Sequence, residues 1–416
     1  MQYNMDGYQS ALLGDRRRRN GIGALDYAEV YARGGVAARI IDLPADTAMS
    51  RGVEVDGDQE GTIKGEFDRL DVVGNMSDAL RWSRLDGGSA IMMLTDTGQL
   101  DEPLPDSFGR INELRVIELS QLQVAPGGYY NDPNLDNYGQ PEIYQVTPLN
   151  AGNSGRGFFY VHESRILPVY GDPLPARIRS YLQVPWAGRS AATRPFDAIS
   201  KWGRALYLAL EILKRKQQAV HRMKGLADLI QEGMEDVVRK RVDLVDEVRS
   251  LMNGVAVDSE DDYQVYDQNV SGLKELIGEF QVAVSAESGI PVTLLFGRSA
   301  AGLNSTGDND LEGFYDLCEG LQKTSAQPAL ERLVDAILRQ SSLQGARPNA
   351  DQWSITWPSL WTPTDAEQAE TRFKNAQAEQ AESAALNSYA ESGVMSNEDV
   401  RRHLIEQGRY GLSNAE

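Results

Sequence analysis

The spacing of hydrophobic residues changes along the chain from helical to strand-like and back to helical. Between Asp26 and Ser50, apolar residues recur every three or four positions and Gly34-Gly35 interrupts the series, which predicts two short helices. A third helix is predicted at about Glu66 to Arg84. The apolar run that follows, Ser89 to Asp96, has the length of a buried strand.

Short apolar segments separated by turn residues continue to about Pro185. Pairs such as Gly127-Gly128 and Asp132-Pro133 mark the turns between them. The predicted strands are "RVIELS", "LQVAP", "EIYQVTP", "GFFYVHE" and "RILPVYG". The first half of the chain is therefore expected to be an α+β domain.

The second half is mostly helical in pattern. A helix is predicted from Thr193, with Pro195 in its first turn, to about Lys224. The segment "KGLADLI", a helix from about Met234 to Met252 and the two short strands of "GVAVDSEDDYQVYD" predict a small βαββ insertion. A second long helix carries Leu273, Leu276, Ile277, Phe280 and Val284 and is expected to end at Gly289 and Pro291.

A loop rich in Gly, Ser and Asn lies within "IPVTLLFGRSAAGLNSTGDNDLEGF" (Ile290 to Phe314). The helix after it, about Asp310 to Gln340, contains Pro328, which removes a hydrogen-bond donor and predicts a kink. "WSITWPSLW" predicts a brief strand. A capping Thr362 with Pro363 opens an Ala- and Glu-rich helix, Ala366 to Glu391, and a final helix is expected to start at Ser396.

Composition and charge exclude several classes of protein. A formal net charge of −20 argues against tight nucleic-acid binding, because such binding needs clustered cations to neutralise phosphates; Lys214 to Lys216 and Arg239 to Arg241 are only local basic patches. A single cysteine, Cys318, cannot form an internal disulfide and favours a reducing cytoplasm. No apolar run reaches the ~20 residues of a membrane span.

The Gly-rich loop invites two ligand hypotheses. Gly297 and Gly302 have the spacing of a phosphate-binding loop, but Leu303 and Asn304 replace the required Lys and hydroxyl residue. A calcium loop is nearly matched, yet Gly297 to Gly307 cannot supply the preceding helix, and the helix dipole explains acids in a first turn. The residues of that near match are Asp308, Asp310, Glu312, Gly313 and Glu319.

No catalytic centre is visible in the pattern. The three histidines (His162, His221 and His403) are far apart, Cys318 lies on an apolar helical stripe, and no serine sits in a nucleophile elbow. One acidic cluster keeps an enzyme hypothesis open as a metal site, although a solvated turn between strands is favoured there: Asp258, Glu260, Asp261 and Asp262. We expect no enzymatic activity, no cofactor and no metal.

Four stretches together make the chain resemble the portal proteins of tailed bacteriophages. The most specific is "SGIPVTLLFGRSAAGLNSTGDNDLEGFYD" (Ser288 to Asp316), where a helix ends in Gly-Ile-Pro and a Gly-rich loop leads to an acidic helix start. The other three are "YARGGVAARIIDLPADTAMSRG" (Tyr31 to Gly52), "VHESRILPVYG" (Val161 to Gly171) and "WPSLWTPTDAEQAE" (Trp357 to Glu370). The resemblance covers nearly the whole chain.

The resemblance implies an α+β portal-type protomer that assembles into a ring of about a dozen subunits. An α/β wing would comprise residues 1–192 and 310–362, helical stem segments 193–221 and 271–289, a small α/β clip 222–270, a tunnel loop 290–309 and a helical crown 363–416. The ring would form a DNA channel at one capsid vertex for genome packaging and ejection. A structural or adaptor protein of the virion that forms no ring is the alternative.

The resemblance also implies partners and site residues. The partners are other copies of the chain, the major capsid protein, the terminase large subunit, a head-tail connector and double-stranded DNA in weak, non-specific contact, but no membrane. Expected locations are the virion vertex and, during assembly, the host cytoplasm. The channel-facing loop residues would be Arg298, Ser299, Asn304, Ser305 and Thr306, and the partner-facing clip residues Glu235, Arg239, Lys240, Arg241, Asp258 and Asp262.

Overall fold

A computed structural model describes most of the chain. The described residues are 24–58, 60–148, 157–214, 217–222, 230–240, 242–243, 262–267, 272–297, 308–343, 353–361, 369, 372–378, 380–381, 383–384 and 388. Residues 1–360 form one compact unit and residues 361–416 a second.

The chain opens, as predicted, with two helices, α1 (Ala24–Ala32) and α2 (Val36–Met49). Gly34 and Gly35 separate them with φ of 77° and 74°, a backbone conformation that favours glycine. Pro44 lies inside α2 and cannot donate a hydrogen bond to the carbonyl of Ile40. The guanidinium of the buried Arg84 donates to that carbonyl instead, at 2.9 Å, and to the carbonyl of Ile41 at 3.3 Å.

The single helix predicted at Glu66 to Arg84 is wrong, because the structure has two: α3 (Thr62–Arg69) and α4 (Val72–Asp86). Asp71 ends the first helical path with φ of 47°, and its carboxylate accepts a hydrogen bond from the Gly74 amide at 3.3 Å. An aspartate that takes the left-handed conformation and caps the next helix breaks the path without any Gly or Pro signal.

All strands predicted in the first half are present, in two antiparallel sheets. One has the order β3–β2–β7, with β2 (Gly88–Thr95) between β3 (Ile111–Glu118) and β7 (Ile166–Tyr170). The other has the order β4–β5–β6, built from β4 (Leu122–Val124), β5 (Ile143–Val146) and β6 (Phe159–His162). The first six residues of β2 are buried, as its continuous apolar sequence requires. The short helix α5 (Ala176–Arg179) follows β7.

The helical half begins with α6 (Phe196–Lys214) and continues, after the insertion, with α7 (Leu273–Ser288) and α8 (Val292–Phe296). Next come α9 (Asp308–Leu321), a π-helical turn (Gln322–Ala326) and α10 (Gln327–Leu338). The interruption predicted at Pro328 is thus present as a π-helical turn directly before it. The buried Gln322 of that turn donates to the carbonyl of Ala48 at 2.7 Å, which ties it to α2.

The predicted extension of α6 to about Lys224, and with it a helical stem segment as far as residue 221, is wrong. The helix ends at Lys214, and β8 (Gln217–Arg222) pairs antiparallel with β9 (Asp262–Asp267). The pairing partner lies far along the sequence, so the helical spacing of the local window could not reveal it. The predicted strand in "DDYQVYD" is confirmed as β9.

Segments distant in sequence join in one core. Strand β1 (Glu54–Asp56) pairs with β10 (Ser354–Thr356), and Gln340 accepts a hydrogen bond from the Ile111 amide at 2.9 Å. The largest buried cluster combines residues of α2 to α4 and β2 with residues of α9 and α10, among them Ile40, Met76, Ile91, Phe314, Leu333 and Ile337. The predicted early α/β segment and late kinked helix therefore fold together.

The second unit is helical where it is described. Residues 372–378 are helical, as the Ala- and Glu-rich pattern predicted, and the side chains described there are exposed. The predicted helix start at Thr362 and the final helix from Ser396 lie outside the described residues. Among the described helices, none combines the length and the apolar character that crossing a bilayer requires.

Candidate functional site

Helix α6 exposes apolar residues on more than one side. Trp202, Ala205, Ala209 and Leu213 lie on one face of the helix by spacing, and Ala209 there is only 6% exposed. Leu208 and Ile212 are 50% and 38% exposed on one flank of this face, and Leu210 is 54% exposed on the other. A helix that is apolar around much of its circumference is normally buried by further partners.

Helix α7 packs antiparallel against α6 and exposes a second apolar set. An open groove between the two helices is lined by Ala209 and Leu213 of α6 and by Leu273, Ile277 and Gly278 of α7. Leu276 and Val282 lie on the exposed side of α7, with 51% and 48% of their surface exposed. The hairpin of α6 and α7 therefore presents outward-facing apolar residues on both helices.

The turn after α7 is fixed by local hydrogen bonds. Gly289 ends the helix with φ of 71°, and the Ser285 hydroxyl donates to the carbonyl of Ile290 at 2.5 Å. Ile290 and Leu295 are buried, and the rings of Phe296 and Trp202 meet edge to face with centroids 5.3 Å apart. Helix α8 is thereby anchored against the start of α6.

The predicted tunnel loop 290–309 is shorter than expected, because residues 292–296 are helical and α9 already begins at Asp308. Apolar packing of α8 explains the early helix, which the Gly- and Ser-rich context obscured. The channel-facing residues predicted within the loop (Arg298, Ser299, Asn304, Ser305 and Thr306) lie outside the described residues. The acidic residues of the near-match to a calcium loop, Asp308 to Glu319, are on one continuous helix, so they do not form such a loop.

The residues predicted to face a partner belong to the insertion between α6 and α7. Residues 235–240 are helical, and Glu235, Arg239 and Lys240 are exposed there. Asp262 opens β9 opposite Arg222 in the strand register. Arg241 and Asp258 lie outside the described residues, as do Glu260 and Asp261 of the acidic cluster.

Few of the described side chains are arranged in a way that could support enzyme catalysis. His162 is buried, its Nδ1 is 2.9 Å from the Ser164 hydroxyl, and burial lowers its pKa. Within the described part of the chain, His, Cys, Asp and Glu side chains form no group of three suited to hold a metal ion. The candidate functional site among the described residues is therefore the exposed α6–α7 hairpin, as a binding surface for a partner, and not a pocket.

Comparison with protein families decides the assignment. The family of phage portal proteins, described as "Phage portal protein", matches residues 25–381. The chain belongs to the phage portal protein family. The match spans both the α/β segments and the helical hairpin, in agreement with the resemblance seen in the sequence.

Chains of solved gene transfer agent particles share the fold of this chain. The neck of a native gene transfer agent particle, computed with C12 symmetry, has a chain that matches with a TM-score of 0.53 and 14% identity, covering 89% of this chain and 94% of that one. A chain of the virion of the native gene transfer agent particle matches with a TM-score of 0.52 and 15% identity over 92% and 94%. At such identities the likeness concerns the fold.

Sequence relatives include longer proteins with another name. The anti-CBASS protein Acb1 of Caulobacter sp. (strain RHG1) is 32% identical over 324 residues, 75% of this chain and 49% of that protein. The protein of the same name from Sphingomonas paeninsulae is 26% identical, over 88% and 60%. An uncharacterized protein of Haemophilus influenzae is 28% identical, over 84% and 74%. The chain thus spans about half the length of the first of these relatives and three fifths of the second.

The exposure of the apolar residues of the α6–α7 hairpin was not predicted from the sequence. Leu206, Leu208 and Leu210 alternate with Ala and Tyr, so apolar residues surround the second half of α6 rather than forming one stripe. The apolar run from Ala205 to Leu210 is the signal in the sequence. One apolar face is enough to predict the helix, so the prediction did not depend on the further apolar residues around it.

Cys318 of the portal chain is expected to be unreactive in the folded state. It is fully buried on α9, and burial raises the pKa of its thiol to about 12, so the thiol remains protonated at pH 8. A thiol reagent such as Ellman's reagent should modify native protein far more slowly than protein unfolded in urea. Rapid stoichiometric modification of the native chain would contradict this burial.

Proposed function

We propose that this portal protein assembles into a closed ring of about a dozen copies that forms a DNA channel at one vertex of a capsid. The genome passes through this channel during packaging and ejection, and the ring docks the terminase large subunit and a head-tail connector. The observation that carries the proposal is the α6–α7 hairpin with its exposed apolar residues in a chain of the portal family.

The two flanks of α6 support a ring rather than a symmetric dimer. Leu208 and Ile212 lie on one flank, and Leu210 lies nearly opposite Leu208 on the other. A head-to-tail ring needs two different contact surfaces on each subunit, whereas a two-fold dimer uses one surface twice. The C12 symmetry in the description of the gene transfer agent neck supports the same arrangement.

The proposed segments of the protomer follow the observed elements. The wing comprises residues up to 192 and 310–362, which share one core. The stem is α6 with α7, the clip is the insertion that β8 and β9 close, and the second unit is the crown on the capsid side. The exposed clip residues Glu235, Arg239 and Lys240 are proposed to face the terminase or the connector, with Arg241, Asp258 and Asp262.

The loop between α8 and α9 is proposed as the tunnel loop. Its Arg298 offers one cation, and its Ser299, Asn304, Ser305 and Thr306 offer weak polar contacts to passing phosphates. The net charge of −20 suits a channel along which DNA slides, since each strong cationic contact adds affinity and slows transit.

A portal role is proposed in preference to the activity in the names of the longer relatives. The portal family match covers residues 25–381, so most of the residues shared with those relatives fall within it. The match to the Caulobacter protein covers 49% of that protein's length. The portal family is structural, which supports a non-enzymatic role at the virion vertex, after assembly in the host cytoplasm.

Native mass spectrometry with negative-stain imaging of the same purified sample tests the ring. We expect closed particles of about a dozen copies with a central opening, as the described C12 symmetry of the related neck suggests. A stable dimer with a defined interface at all protein concentrations would contradict the ring and favour an adaptor role.

A further inference from the structure

A cationic stripe runs along the exposed flank of α6. Lys201, Arg204, Leu208 and Ile212 are all exposed. They follow one another along α6 at spacings of three, four and four residues. This spacing places all four side chains on one side of the helix. The stripe is therefore cationic toward the start of α6 and apolar toward its end.

The cationic stripe lies in a locally basic segment of an acidic chain. Residues 172–204 hold six Lys and Arg residues against two Asp residues, in a chain of net charge −20. Lys201 and Arg204 make no ion pair with any residue that the structure describes. Within the described residues, both cations are therefore available to a partner.

An acidic stripe runs along the exposed side of α7. Glu275, Glu279, Val282 and Ala286 are exposed at spacings of four, three and four residues, and Glu287 and Leu276 lie beside them. No ion pair joins Glu275, Glu279 or Glu287 to another side chain in the described ranges. This face of α7 combines carboxylates with half-exposed apolar side chains.

The packing of the hairpin sets the heights of the two stripes along the stem. Ala209 and Leu213 line one groove with Leu273 and Ile277, and the start of α6 lies beside α8, where Trp202 meets Phe296. With antiparallel helices and a rise of about 1.5 Å per residue, Lys201 is level with Glu287. By the same count, Ile212 is level with Leu276.

Rotation about a ring axis keeps each residue at its own height along that axis. Where the α6 stripe of one copy faces the α7 stripe of the next, Lys201 is therefore level with Glu287 and Ile212 with Leu276. By the same count, Arg204 is about 7.5 Å in height from Glu279, a distance that the long side chains of the arginine and the glutamate span together. Opposite charges thus lie at similar heights in such a contact, and so do the apolar residues.

We propose that Lys201 and Arg204 of one copy pair with Glu279 and Glu287 of the next copy, and that this charge match fixes the register of the stem in the assembled ring. The inference rests on the proposed ring. A second copy fits the stripe better than DNA does, because Leu208 and Ile212 extend the stripe with apolar surface that a phosphate backbone would leave exposed.

Charge reversal tests the pairing in the full chain. The wild type is first shown to form rings, which separates failure of the proposed function from failure of this inference. The double variants K201E/R204E and E279K/E287K are each expected to raise the apparent dissociation constant of the ring by about tenfold or more, because like charges then face each other. Mixing the two purified variants, or combining all four substitutions in one chain, should restore rings.

A matched control reverses two exposed cations away from the stem. K64E/R177E changes the net charge by the same amount as K201E/R204E, and it should assemble as the wild type does. Thermal unfolding of each monomer checks that the variants are folded. Restored assembly in the four-fold variant supports the pairing, whereas assembly that stays lost, or rings that are unaffected by either reversal, overturns it. Intact rings of K201E/R204E with weaker DNA retention would assign the stripe to DNA instead.

Discussion

Shortening the loop between α8 and α9 is expected to leave rings intact and to reduce packaged DNA by about an order of magnitude. The helices before and after the loop are anchored by side chains that lie outside the loop. Before the loop, Leu295 is 2% exposed and Phe296 meets Trp202 edge to face; after it, Phe314 and Cys318 are buried. Replacing residues 298–306 by a short Gly–Ser linker removes the proposed DNA contacts and spares these anchors.

Two variants separate the length of the loop from its chemistry. A Gly–Ser replacement of equal length keeps the connection but removes Arg298, and a single R298A substitution removes the cation alone. DNA retained in purified capsids is measured as a function of salt, since a lost phosphate contact flattens the salt dependence. Loss of rings in the shortened variant would show that the loop is structural, and unchanged DNA retention in every variant would contradict a channel-facing loop.

Local sequence patterns predicted the elements that local physics controls. Strand β2 was predictable because a buried central strand must be continuously apolar, and the end of α7 because Gly289 and Pro291 terminate helices. The break at Asp71 was not predictable, since an aspartate with positive φ carries no Gly or Pro signal. Strand β8 was missed because its stability comes from β9, a partner distant in sequence.

In the candidate site, too, some features could be predicted from the sequence and others could not. The family resemblance predicted the portal family and the mixed helical and sheet fold, and both are confirmed. The complementary stripes of α6 and α7 were missed, because their meaning depends on which faces the hairpin buries and which it exposes. Lys201 and Glu287 are ordinary charged residues in the sequence, and only the packing of the two helices brings them to one level.

Replacing Arg84 by Met is expected to lower the free energy of unfolding by about 2 kcal/mol, because two buried carbonyl groups then lose their charged donor. Burial lowers the pKa of the Arg84 guanidinium to about 10, so the group is still charged at neutral pH. Its hydrogen bonds reach the carbonyls of Ile40 and Ile41 in α2. The carbonyl of Ile40 depends on this donor, since Pro44 has no N–H to offer.

A second substitution tests that cause directly. In P44A the new amide of residue 44 can donate to Ile40, so R84M should cost about 1 kcal/mol less in the P44A background than in the wild type. R81M, on the same helix, is the matched control: Arg81 pairs with Asp42, Asp46 and Asp78 near the surface, and its loss should cost no more than about 1 kcal/mol. Urea unfolding followed by circular dichroism measures all four variants. Equal costs of R84M in both backgrounds would show that Arg84 stabilises α2 by packing alone and not by replacing the donor that Pro44 removes.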